Sequence, residues 1–415
     1  MNHEIDTPTW RNKVNLVIVS MGIVFLPLMA HAGGLGIAPL AAIVGSVGIL
    51  TTPFSDFLKR PPNWLIGLFI FMLWAVTTSF WSSYEDTQTL TNPLKWAIGV
   101  PLFLGCFLAV ESAIKYHKVF LSHLLMAACV LGVGLLLIDL LSGYALTHVV
   151  DPPKANEDII KKQGDARMNL GHAITVWLLL IVPTSILMVR NFRYGKIYTA
   201  LLILGLLGAS ILNMLAVGIL GLVMLGFVYF LGRKSPKTTL SGLIYGSIGS
   251  VILMPVIGVI LRHIPKPLIE KLPLSWFHRV EMWSYTTDKI TETPLWGHGF
   301  DAARTFKGDE HKFEILEGLY WHYITLHPHN FGLHLWLETG LIGAILAGVF
   351  IFFIKKPLLA LTGRKFRILS ILSFITAAFL ICNTTYGVWQ DWWWATMIFC
   401  ASLLQIISLD EDNLL

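Results

Sequence analysis

Apolar residues in this chain gather in long runs instead of recurring at every third or fourth position. The runs fall at roughly 14–32, 35–52, 63–81, 95–111, 118–141, 171–189, 197–213, 215–232, 239–261, 332–353, 367–386 and 391–408. About twenty helical residues at 1.5 Å rise match the roughly 30 Å hydrocarbon core of a bilayer. The pattern predicts an all-α polytopic membrane protein with about twelve transmembrane helices. Asn213 is the one polar break between the seventh and eighth runs, so eleven is the competing count.

Basic residues decide between the counts, because cytoplasmic loops collect Lys and Arg. With the N-terminus inside and twelve alternating spans, Arg11, Lys13, Lys59, Arg60, Lys115, Lys118, Arg190, Arg193, Lys196, Arg233, Lys234, Lys237, Lys355, Lys356, Arg364, Lys365 and Arg367 all fall on one side. The short turns on the other side hold essentially none, with Lys95 at one edge. Eleven spans would invert the second half and destroy this agreement. The expectation is a multi-pass protein of a bacterial inner membrane with both termini cytoplasmic. Three regions follow: helices 1–9 over 1–261, a large external loop over 262–331, and helices 10–12 with a short tail over 332–415. A smaller polar segment, about 142–170, faces the same side as the large loop, which is expected to contain short helices. Trp389, Trp392, Trp393 and Trp394 read as an interfacial aromatic belt.

Composition agrees with this picture. Of the 415 residues, 55% are hydrophobic and 13% charged, against about 25% charged in soluble domains. The mean hydropathy is +0.68. The net charge of +5 is spread over many loops and does not imply nucleic acid. Cys106, Cys129, Cys382 and Cys400 all lie in apolar runs and read as small buried hydrophobes. Glu4 and Asp6 in the polar N-terminus do not fit a cleaved signal peptide. There is no repeat and no low-complexity tract.

The chemistry-bearing residues cluster in and just after the large loop. Arg279-Val-Glu-Met-Trp283 comes first, then Pro294-Leu-Trp-Gly297-His-Gly299-Phe300, then His327-Pro-His329-Asn330. The last leads into Leu333 and Glu338-Thr-Gly340 on the next span. In order, spacing and location these motifs, over about the last third of the chain, resemble the O-antigen ligases and the related O-antigen polymerases and protein O-oligosaccharyltransferases. The resemblance implies a metal-independent glycosyltransferase of the C-type membrane fold, without a cofactor. It would take a glycan from an undecaprenyl-diphosphate carrier at the periplasmic face and, in a ligase, pass it to a lipid A–core sugar. By position, Arg279 matches the family's loop arginine and His329 its catalytic histidine. A further family arginine, in a Ser-Arg context on a middle span, would fall near 210–218, where this sequence has none. Arg167 and Arg262 are the substitutes for that second diphosphate contact.

The residue chemistry fits such a reaction independently. Arginine stays protonated and presents a fork suited to phosphate oxygens, so it can hold a departing diphosphate. An imidazole can take the proton of an attacking sugar hydroxyl. Asn330 is placed to cap the following helix. Other readings stand beside these. Arg279 alone would also serve as a headgroup contact. His327 and His329, with His298, His311, His322 or His334, would be a metal group, although His327 reads better as structural. Glu338, two turns into a span, is expected to hold Arg167 or Arg279, or to be neutral and hydrogen-bonded. Trp283 reads as packing before substrate stacking, and Gly297 and Gly299 as a tight turn. Glu85-Asp86 and Asp410-Glu411-Asp412 read as solvated charge. The rival of another class is a flippase or transporter, which would need charges deep in several helices; the deep charges here are few, mainly Asp139 and Glu338, both nearer the external side.

Overall fold

A computed structural model describes residues 7–52, 61–84, 90–152, 158–316 and 318–407. Lys59, Arg60, the Glu85-Asp86 pair and the Asp410–Asp412 cluster lie outside the described residues. The helices are α1 (Trp10–His31), α2 (Ile37–Thr51), α3 (Asn63–Thr77), α4 (Thr91–Leu141), α5 (Ala145–Val150), α6 (Ile159–Asn191), α7 (Gly195–Leu212), α8 (Ala216–Lys234), α9 (Pro236–Arg262), α10 (Lys266–Ile269), α11 (Leu274–Glu292), α12 (Phe331–Leu359), α13 (Lys365–Cys382) and α14 (Asp391–Leu403). The one sheet among the described residues is an antiparallel hairpin of β1 (Lys312–Leu316) and β2 (Leu319–His322). It adds a strand pair to a loop that was expected to contain short helices.

The protein is an all-α polytopic membrane protein. Nine helices among the described residues are long and apolar enough to cross a bilayer. One of them, α4, has 51 residues. A straight helix of that length would reach about 76 Å, far beyond one bilayer core. It breaks at His117 (φ −129°, ψ 26°), between the fourth and fifth apolar runs. Two shorter apolar helices, α2 and α14, account for the remaining runs. The disputed seventh and eighth runs are separate helices, α7 and α8. Their turn is pinned where Asn213 Nδ2 donates to the Arg167 carbonyl, 3.1 Å away.

Contacts between chain ends support the alternation. Asn12 and Asn15 of α1 meet Ser112 near the break in α4, while His31 at the other end of α1 reaches Asp139, 2.9 Å away. Fully buried Asp139 also accepts from the Leu146 backbone and from Thr147 Oγ1, capping α5. It is a satisfied carboxylate, not a lone charge in a transport path. The most enclosed span is α6, with 83% of its apolar window buried against 22–50% for the other spans; α1, α4, α7 and α13 pack round it. A second group forms where α12 packs on α3 and α9.

The aromatic belt expected at the start of α14 is not there. Trp389, Trp392, Trp393 and Trp394 are all buried in the core, packed against Phe71, Trp96, Phe300 and Tyr386. Interfacial and core tryptophans look alike in sequence; only the partners arriving from α3, α4 and the large loop distinguish them. The four cysteines are free, as expected, with Cys382 only partly buried.

Candidate active site

The two glycine motifs of the last third form one backbone joint. At Gly340 the helix α12 breaks (φ 65°, ψ −168°), and a break inside a span leaves peptide groups that lipid cannot satisfy. The Pro294–Phe300 turn satisfies them. Leu341 N donates to Pro294 O and Ile342 N to Leu295 O, while His298 N and Gly299 N donate to Leu337 O and Glu338 O. Trp74 Nε1 takes the Thr339 carbonyl at 3.0 Å. Backbones this close leave no room for side chains: a Cβ on Gly340 would sit 2.2 Å from Leu295 O, and one on Gly297 2.3 Å from the Glu338 carbonyl carbon. Both positions, and Gly299, have positive φ, where glycine is the unstrained choice. The expected tight turn is present, and its purpose is to splice a broken span.

Glu338 sits in this joint, fully buried. Its carboxylate accepts from Asp301 N at 2.7 Å, Ala303 N at 2.8 Å and Trp389 Nε1. His334 Nε2 lies 3.1 Å from Oε1, at an angle that misses hydrogen-bond geometry. Neither Arg167 nor Arg279 pairs with it, which corrects the expected orienting role. Three donors converge on one carboxylate, so Glu338 ties the large loop to the α13–α14 turn. Burial beside that carboxylate raises the pKa of Asp301, which Arg304 partly offsets.

The α13–α14 turn, Asn383–Gln390, is the part of the site that sequence reading missed. Arg279, on α11, donates through Nη2 to Thr384 O at 3.1 Å and through Nη1 to Ser275 O at 3.0 Å. His329 Nδ1 lies 2.6 Å from Thr385 O. The two sequence-predicted catalytic residues, fifty positions apart, thus hang on consecutive carbonyls. The same turn gives Val388 N to His334 Nδ1 at 3.1 Å. Gly387 lies so close to the His327 ring that a Cβ would sit 2.9 Å from it. Asn383 Oδ1 accepts from Ser250 on α9. The only signal in the sequence was a short polar stretch, Asn383-Thr-Thr-Tyr, between two apolar runs.

The geometry sets the state of each group. A carbonyl only accepts, so His329 carries its proton on Nδ1 and leaves Nε2 as a lone pair. No side chain or backbone group among the described residues meets Nε2. Burial pushes the His329 pKa down to about 4, so the ring is neutral at neutral pH and its Nε2 lone pair is unprotonated. Its backbone has φ +50°, a strained value for a side-chain-bearing residue. It is held by its own N–H donating to His327 Nδ1 at 3.3 Å and by Trp283 Nε1 donating to Pro328 O at 2.9 Å. His327 is buried between the His329 and His334 rings. Burial drives its pKa far down. His327 and Trp283 therefore act on the loop as struts. Asn330 caps α12, its Oδ1 accepting from Leu333 N at 3.0 Å.

The arginines divide sharply. Arg279 is half-buried beside the Trp276 ring, has no carboxylate partner among the described residues, and its buried Nε has no acceptor. Burial lowers its pKa and no anion offsets this. Two of its five N–H groups are engaged and Nε is buried, which leaves the second N–H of each Nη to meet an anion. Arg262 instead pairs with Asp288, joining α9 to α11, which removes it as a free phosphate contact. Arg167 lies two turns inside α6 and turns towards Met214, its Nη1 3.8 Å from the sulfur. It is not joined to Arg279 or His329. Among the described residues no three His, Cys, Asp or Glu side chains gather as metal ligands.

Comparison with known proteins places this geometry in a family context. Residues 170–348 match the family model described as O-antigen ligase, a stretch that includes Arg279, His329, Glu338 and both glycine motifs. A protein named "Putative polysaccharide ligase" from Rickettsia bellii is 29% identical over 240 residues, 57% of this chain and 56% of the relative. One of the same name from Rickettsia felis is 30% identical over 238 residues, and one from Rickettsia conorii 29% over 238. The chain thus spans 56% of the length of each of these relatives. The resemblance carried by the motifs is borne out as a similarity: residues 170–348 match the O-antigen ligase family model.

Proposed function

We propose that this protein is a glycosyltransferase that moves a glycan from a polyprenyl-diphosphate carrier, undecaprenyl diphosphate in bacteria, onto a sugar hydroxyl of a second lipid-anchored acceptor. Lipid A–core is the acceptor in the ligase reading. The observation that carries this is the pairing on Thr384 O and Thr385 O of a guanidinium lacking an anion and an imidazole with a free lone pair. A half-buried charge without a partner is costly, and a diphosphate would supply the missing anion. The reaction then has assigned roles. The acceptor hydroxyl attacks the anomeric carbon while its proton passes to His329 Nε2. The C1–O bond to the diphosphate breaks, and Arg279 stabilises the charge that grows on the leaving oxygen. An in-line displacement, the hydroxyl attacking opposite the departing diphosphate, inverts the anomeric carbon.

Glu338, Trp283, His327 and Asn330 act by holding the loop, the joint and the turn together. Arg167, on the enclosed helix α6 beside the α7–α8 turn, is retained as a contact for the carrier outside the reacting centre. The reaction is assigned to the periplasmic face of the inner membrane, in keeping with the basic loops at the opposite helix ends.

Purified protein in liposomes, given a lipid-linked glycan and lipid A–core, should produce the glycosylated lipid, with inverted configuration by NMR. Movement of the carrier between leaflets without transfer would favour the flippase reading. In a deletion strain, loss of all capped lipopolysaccharide bands marks a ligase, whereas survival of a single repeat unit marks a polymerase.

A further inference from the structure

A second histidine hydrogen-bonded through Nδ1 to a carbonyl packs against the Asn383–Gln390 turn that holds His329. His172, in the part of α6 that follows Arg167, has Nδ1 2.8 Å from the carbonyl of Gly33. As with His329, the carbonyl fixes the proton on Nδ1 and leaves Nε2 as a lone pair. That Nε2 has no partner among the described residues, and it is not among the buried polar atoms left without one, so it is open at the surface of the part-exposed ring.

The surroundings are built to hold it there. The ring lies 4.6 Å from the Trp392 ring and 5.3 Å from that of Tyr386. One turn later Thr175 Oγ1 meets Tyr386 Oη at 3.0 Å, locking α6 to the turn that carries His329 and Arg279. The Gly33 carbonyl is delivered by an Ala32–Gly36 turn with two left-handed glycines. A Cβ on Gly33 would meet Asn169 Oδ1 at 2.5 Å, and one on Gly34 the Trp392 ring at 2.8 Å. Packing alone would need neither the fixed tautomer nor the open nitrogen.

We infer that His172 is a sugar-contacting residue, its Nε2 accepting a hydrogen bond from a hydroxyl of one of the two glycan substrates, on the α6 side of the site. This rests on the glycan-transfer reading above. Tyr386, adjacent to Thr385, ties His172 to the turn whose carbonyl holds His329.

The test uses full-length protein in liposomes, with a polyprenyl-diphosphate-linked glycan donor and a lipid-anchored sugar acceptor. His172→Asn keeps an N–H near the Gly33 carbonyl and removes the Nε2 acceptor; His172→Phe keeps the ring and removes both. Both should raise KM for one glycan substrate about tenfold, the cost of one hydrogen bond, with kcat little changed and the thermal midpoint of the Asn variant at the wild-type value. A wild-type KM in His172→Asn, or a fall in kcat alone, overturns the assignment and leaves His172 as packing. Wild-type protein inactive in this assay would instead remove the glycan-transfer reading itself, and the subsite with it.

Discussion

Two polar regions lie within a few turns of each other at the loop end of α12, and they differ in one respect. In the joint around Gly297, Gly340 and Glu338, four backbone N–H groups pair between the turn and the broken helix and the buried carboxylate receives three donors, with His334 Nε2 beside it short of hydrogen-bond geometry. At the rim, Arg279 keeps a buried Nε without an acceptor, and His329 keeps a bare Nε2. Both regions are rich in residues that a sequence reader marks as catalytic. The difference teaches that a saturated polar network is architecture, whereas an unsaturated one has capacity for a ligand. By that criterion Glu338 moves from the reaction to the scaffold, and Arg262, paired with Asp288, moves with it.

Substitutions would sharpen or break this division. His329→Ala should lower the transfer rate by about 10²–10⁴, the usual range for losing a general base, with insertion and thermal midpoint unchanged. A variant with near-normal turnover in the liposome assay would return His329 to the scaffold. Glu338→Ala should behave in the opposite sense. Leaving Asp301 N, Ala303 N and Trp389 Nε1 without an acceptor costs about 1–3 kcal/mol each, so folded yield and thermal midpoint should drop before any kinetic effect is separable. Unchanged thermal stability would break the comparison.

Arg279→Lys should be the next largest effect, a loss of about tenfold or more in turnover, because a point charge cannot span the Thr384 carbonyl and a phosphate together. The pH profile is subtler. A free histidine protonates near 6.5, whereas His329 in the folded protein does so only at about 4. Stability tied to the neutral ring is complete above pH 6.5 and drains as pH falls towards 4. Turnover limited by this base should likewise persist below pH 6, and an acidic limb centred at 6.5 would show that another group limits the rate. The smallest effect belongs to Arg262→Ala. Its ion pair is exposed on both sides, so unfolding should shift by less than about 1 kcal/mol, with transfer intact. A large kinetic loss there would restore Arg262 as a substrate contact.

Much of this protein was legible in its sequence because a bilayer imposes simple rules. Span length and apolar content follow from membrane thickness, and all twelve predicted runs correspond to helical segments, including the disputed pair at Asn213. The Asn330 cap was readable from residue type and order, and residue type singled out Arg279 and His329 as the candidates. Three things were not. The tryptophans of 389–394 turned inward, because burial depends on partners from distant elements. Glu338 had no arginine, because the nearest donors were backbone N–H groups that no side-chain pattern displays. Above all, the Asn383–Gln390 turn contributes to the site mainly through carbonyls, which every residue possesses and which therefore leave no trace in sequence. Local chemistry selected the arginine and the histidine; only the tertiary fold decided that two adjacent peptide oxygens would hold them together.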